Sequence, residues 1–378
     1  MISSSLVYLS VLALFSSLAL YLSKKEFKIL QYLPPIVLLY MSIMLLSSNG
    51  IFEMNEEIST SYSTLKSNLL PAMLFLMLLP NKLTHLSKLG PKMLLSFLLA
   101  TLSLFVAFIL SFFLFSLPSS DIQIFAPLAG SWMGGTGNML AVSAALNTSE
   151  SAIGITLFMD SIDYSLWLMF LLLLVPLASR FNLFTKANDS IKDIHIDTNC
   201  ALHFSYKGYS YLLLSAMAVS LFSQVFAQYL AQYLFASITT WSVLLASVLG
   251  VLFSFSPLAK SKGLQGTANA MLYLLIALIA SRANIEFNLN LLNYLLLGLF
   301  ILCIHGLFMV IFAKIFKLDL FSISVASLAN IGGIASAPIL SAAYAQSLVG
   351  IGVLMASLGY ILGTFVALFL AEVLTWIV

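Results

Sequence analysis

Charge is what this chain has least of. Of its 378 residues only 8% are Asp, Glu, Lys or Arg and 61% are hydrophobic, whereas soluble domains carry about 25% charged residues. That poverty excludes a soluble globule and implies a polytopic helical membrane protein. Cys200 and Cys303 are the only two cysteines, too few for a disulfide framework. No histidine pair is spaced as zinc ligands, and no Gly-x-x-x-x-Gly-Lys loop is present, which argues against ATP-driven pumping. The net charge of +2 sits in short loops beside apolar spans and points to no nucleic-acid partner. No cleavable signal peptide is expected. Leu6 to Leu22 is long for one, and Lys24, Lys25 and Lys28 follow the run rather than precede it.

What is present is a series of twelve apolar segments, over 5–22, 31–49, 62–80, 93–117, 122–146, 151–178, 209–234, 238–258, 265–283, 290–313, 321–345 and 349–378. The polar stretch 180–208 separates two halves, 1–179 and 209–378. The halves repeat. Gly134 to Ala145 and Gly332 to Ala343, 198 residues apart, align with Gly134 on Gly332, Gly135 on Gly333 and Ser143-Ala144-Ala145 on Ser341-Ala342-Ala343. After a two-residue slip, Met159, Ser161 and Tyr164 fall on Met355, Ser357 and Tyr360. Paired glycines interrupting corresponding spans of two halves mark the binding site of many secondary transporters.

Charge also decides the topology. If all twelve segments cross, seven of the sixteen Lys and Arg face inward and nine outward, against the positive-inside bias. If 122–146 and 321–345 are instead re-entrant hairpins, every Lys and Arg except Lys66 and Arg282 is cytoplasmic. The expected fold is therefore all-α: two inverted repeats of five spans, one hairpin per repeat, and both termini outside. The four spans over 5–49 and 209–258 would form a scaffold carrying homodimer contacts. Those over 62–178 and 265–378 would form a moving transport domain, joined through a cytoplasmic linker at 180–208. Lys66 and Arg282, near span ends, are expected to snorkel to the interface.

The chemistry concentrates at the tips. Gly134, Gly135, Thr136, Gly137 and Asn138 form the first, and Asn330, Gly332, Gly333 and Ser336 the second. Each precedes a half-helix whose N-terminal amides and dipole favour an anion, and these nine residues are the expected substrate site. Asp160 and Asp163 are the only carboxylates well inside a span, where a charge costs at least ~2.5 kcal/mol on insertion scales. Three residues apart, they share a helix face. With Thr136 and Asn138 they are the expected coupling-ion site, for Na⁺ or H⁺, and no other cofactor is called for. His305, in mid-span, is a candidate proton relay.

The stretches 130–138 (Gly-Ser-Trp-Met-Gly-Gly-Thr-Gly-Asn) and 326–333 (Ala-Ser-Leu-Ala-Asn-Ile-Gly-Gly) resemble the signature segments of YjcL-like bacterial integral membrane proteins, a family carrying a domain of unknown function. More loosely, glycine-paired hairpins in inverted halves are similar to the citrate/sodium and glutamate/sodium symporters. That likeness implies an elevator mechanism, sodium coupling and a carboxylate substrate, although no Arg stands at either tip to clamp a carboxylate. The expectation is a cation-coupled secondary transporter in the bacterial inner membrane, not an enzyme, carrying a small organic solute such as a carboxylate or an amino acid. The alternative is a monovalent cation/proton antiporter with no organic substrate.

Overall fold

A bilayer leaves every backbone polar group to be satisfied within the chain, and the computed structural model is accordingly helical. It describes residues 1–23, 25, 35–80, 89–187, 206–233, 237–283, 289–345 and 348–378. Most of the expected linker (188–205), with Lys192, lies outside the described residues, as do Lys24, Lys28, Lys82 and Lys88. The helices are α1 (Ser5–Leu22), α2 (Pro35–Ser48), α3 (Glu56–Leu78), α4 (Gly90–Phe115), α5 (Ile122–Gly134), α6 (Thr136–Ala145), α7 (Glu150–Leu174), α8 (Ala178–Thr185), α9 (Tyr206–Tyr233), α10 (Ile238–Phe253), α11 (Leu264–Ala280), α12 (Leu289–Phe316), α13 (Leu320–Ile331), α14 (Gly333–Tyr344) and α15 (Val349–Ile377). Among the described residues, six helical stretches are long and apolar enough to cross a membrane. The chain is an α-helical polytopic membrane protein. Helix α8 continues past Pro176 into what the sequence reads as linker, because Phe181, Leu183 and Phe184 keep that stretch apolar.

Both glycine segments are breaks. Helices α5 and α6 have 13 and 10 residues, and α13 and α14 have 12 each. At 1.5 Å per residue these reach ~15–20 Å, short of the ~30 Å hydrocarbon thickness. Every residue of α13 is buried, and every residue of α5 except Gln123. Apolar helices covered on all sides belong in a protein interior rather than against lipid. The first break is made by Gly135, whose φ of 94° is open to glycine and strained for other residues.

Two compact units divide the chain. The first is Met1–Pro80, Leu140–Ser161 and Cys200–Phe287. Within it α3 packs on α9, α10 and α11, while α1 and α2 pack on α11 and on each other. The third helices of both halves, α3 and α11, belong here with the N-terminal spans. The second unit is Asn81–Met139, Ile162–Asn199 and Asn288–Val378. Within it α15 packs along α5, α13 and α14, and α4 packs on α12 and α13. Both breaks, and every expected site residue except Asp160, fall in this second unit.

Candidate functional site

Each broken helix starts at an aspartate, and the two aspartates are repeat partners 198 residues apart. Asp319 Oδ1 accepts from the Ser322 amide at 2.8 Å and caps α13, while Oδ2 pairs with Lys92 Nζ at 2.6 Å. Asp121 precedes α5 and accepts a hydrogen bond from the Tyr294 hydroxyl at 3.1 Å. Burial pushes the Asp121 carboxyl above the usual carboxylate range, with the Tyr294 bond opposing. The anchoring is crossed. Lys92 lies in the first half and holds the second broken helix, whereas Tyr294 lies in the second half and holds the first.

The tips follow the same rule. Helix α15 presents Gly359 and Gly363 to the end of α5. A β-carbon at Gly359 would sit 3.2 Å from the Met133 carbonyl oxygen and 3.3 Å from that of Ala329, and one at Gly363 only 2.5 Å from Gly134 Cα. The backbones touch because no side chain intervenes. Asn138, 2% exposed, accepts from Thr364 Oγ1 at 2.7 Å and donates to the Tyr360 carbonyl at 3.3 Å. Asn330, fully buried, accepts from Thr101 Oγ1 at 2.9 Å and donates to the Ala326 carbonyl at 2.9 Å. Again each tip is pinned by a helix of the opposite half. Both asparagine amides are thus engaged inside the protein.

In register, Asn138 matches Ser336 rather than Asn330, and the geometry agrees with the register. The Asn138 amide occupies the space a β-carbon on Gly134 would fill, and Ser336 Oγ does the same at Gly332. The difference lies in their partners. Ser336 is 0% exposed, and its hydroxyl makes no hydrogen bond among the described residues. Two tyrosines, Tyr164 and Tyr360, themselves repeat partners, close over the tips. A β-carbon at Gly332 would lie 2.5 Å from the Tyr164 ring, and the Tyr360 ring lies 3.3 Å and 3.4 Å from the corresponding points on Gly135 and Gly333. Gly135 and Thr136 are partly exposed, while Gly137 is buried.

Asp163, next to Tyr164 on α7, is fully buried; Asp160, one turn earlier, is only partly so and belongs to the first unit. The two carboxylates share a helix but not an environment. Thr136 and Asn138 sit at the first tip, where the Asn138 oxygen faces Thr364 on α15.

His305 has both ring nitrogens bonded, Nδ1 to Ser103 Oγ at 2.6 Å and Nε2 to Ser327 Oγ at 2.8 Å. Ser103 gives its proton to the Ala100 carbonyl at 2.8 Å, so Nδ1 is the donor to Ser103. Ser327 accepts from Trp167 Nε1 at 2.9 Å, so its own proton goes to Nε2. The chain closes around a neutral imidazole joining α4, α7, α12 and α13. That is the pattern of a packing residue.

Sequence reasoning missed Thr101, Thr364, Asp121, Asp319, Lys92 and Tyr294, and it treated Tyr164 and Tyr360 only as repeat markers. In the first unit, Lys66 pairs with Glu150 at 3.1 Å, and the exposed Arg282 lies over the Tyr62 ring at 4.2 Å. No curated protein matches the chain. A family model does match, over residues 10–377, and the chain belongs to that family, described as "Protein of unknown function (DUF819)".

Proposed function

We propose that the protein is a cation-coupled secondary active transporter of a small organic solute, with the two glycine tips forming its site. The carrying observation is the crossed anchoring: each broken helix is pinned by the other half of the chain. Such interlocking serves little purpose in a scaffold protein or receptor, but it builds a symmetric pair of helix N-termini around one buried locus. Ser336 Oγ, buried and without a partner among the described residues, supplies a hydroxyl to the solute, and the first turns of α6 and α14 supply amides. Asp163, fully buried on α7, is the coupling-ion carboxylate, because a charge at that depth is tolerated where it has a functional partner. The halves are inverted repeats with re-entrant hairpins, and the unit holding both tips moves as the elevator body.

One observation favours the second reading, a monovalent cation/proton antiporter. Both tip asparagines are engaged within the protein, which reduces the groups left for an organic solute. A thermal-shift screen of the purified protein against metabolites, with and without Na⁺, separates the two. A solute that stabilises only in Na⁺ supports the symporter. Electrogenic Na⁺/H⁺ exchange by solute-free proteoliposomes, with no stabilising solute, supports the antiporter.

A further inference from the structure

The first unit holds a cavity of about 470 Å³ that the tips do not touch, enclosed by α3, residues 140–153, α10, α11 and Gln224 of α9. Its lining mixes charge with apolar surface. Lys66 Nζ donates to the Tyr62 hydroxyl at 3.0 Å and to Glu150 Oε1 at 3.1 Å, while the Tyr62 hydroxyl donates to the same oxygen at 2.6 Å. The Lys66 and Glu150 side chains each keep 27% of their surface open. Leu70, Val243, Leu275 and Ile279 line the same cavity with apolar surface. Two further wall residues carry the argument. Thr148 and Ser242 are 6% and 5% exposed, and neither hydroxyl has a hydrogen-bond partner among the described residues. Native proteins seldom leave buried hydroxyls unmet, and both of these residues line the cavity.

From these walls we propose that the cavity binds a small zwitterion, an α-amino acid with an apolar side chain. The size falls within the ~300–1,000 Å³ of small-molecule pockets. A lone anion would add negative charge beside Glu150, and a lone cation would add positive charge beside Lys66. A zwitterion places its carboxylate on Lys66 and its ammonium on Glu150, leaving the net charge unchanged and both ends in charge-assisted hydrogen bonds. The Thr148 and Ser242 hydroxyls then gain partners, and the apolar side chain lies against Leu275 and Ile279. This site is separate from the tips and does not depend on the transport reading.

The test is calorimetric titration of the purified full-length protein with leucine, 4-methylpentanoate and 3-methylbutylamine, which share one apolar body and differ only in charge. Leucine is expected to bind, and each singly charged analogue about tenfold or more weakly. Lys66→Gln and Glu150→Gln should each weaken leucine by about tenfold or more. Ser242→Ala should weaken leucine severalfold while leaving the unfolding temperature without leucine unchanged, because that hydroxyl has no partner among the described residues to lose. Asp163→Asn should not alter leucine affinity. The proposal is overturned if leucine does not bind, if 4-methylpentanoate binds as well, or if Ser242→Ala and Lys66→Gln leave affinity intact. Loss of leucine binding in Asp163→Asn would move leucine to the tips and overturn it too.

Discussion

Thr364 Oγ1 donates to Asn138 Oδ1 across 2.7 Å, tying a threonine of the last helix to the asparagine of the first tip. Thr101 does the same for Asn330 at 2.9 Å. Both bonds are buried, so removing the hydroxyl leaves an amide oxygen short of a partner. Thr364→Val and Thr101→Val should each destabilise by about 1–3 kcal/mol, read as a lower unfolding temperature in detergent. Unchanged stability in both would mean that these bonds do not hold the tips.

The tip glycines should tolerate no side chain. Gly332→Ala and Gly134→Ala must displace Ser336 and Asn138 respectively, and should lower the unfolding temperature. Gly266, in α11, offers the contrast, since nothing lies within 4 Å of its β-carbon position. Gly266→Ala should be neutral or stabilise by up to about 1 kcal/mol through helix propensity. Equal effects at Gly266 and Gly332 would contradict the close-packed tip.

How legible was all this beforehand? Paired glycines and the 198-residue repeat located both breaks, because few other sequences can take φ of 94° at Gly135 or let Gly363 meet Gly134. The threonines gave no signal, since a lone Thr in a helix commonly bonds its own preceding turn, and the Thr101 proton is shared between Asn330 Oδ1 and the Phe97 carbonyl, 3.1 Å away. Asp121 and Asp319 carry the same repeat spacing, but at span edges they read as ordinary loop charges. Lys66 and Glu150 lie 84 residues apart, and hydropathy carries no trace of that pairing. Nor does hydropathy tell that α3 and α11 group with the N-terminal spans, because grouping follows side-chain fit rather than apolar content.

Burial separates the two aspartates of α7. Asp163→Asn should purify and fold like wild type yet lose cation-dependent stabilisation, whereas Asp160→Asn, partly exposed, should keep most of it. Thermal shift against Na⁺ concentration and against pH reads both variants. Identical behaviour of the two would remove the special role of Asp163.

The hydrogen-bond chain through His305 assigns its proton to Nδ1. Nitrogen-15 spectra of labelled protein should show that neutral tautomer. Ser103→Ala should disturb it and lower stability by about 1–2 kcal/mol. A spectrum with the proton on Nε2 would contradict the assignment.

The central claim is that the tips line a path reached alternately from both sides of the membrane. Thr136, partly exposed at the first tip, reports this without knowledge of the solute. In a background with Cys200 and Cys303 replaced, Thr136→Cys should react with a membrane-impermeant thiol reagent added to either face of sealed, uniformly oriented vesicles. Reaction from one face should exhaust the sites available to the other. Labelling from one face only, under every ion condition, would contradict alternating access at these tips.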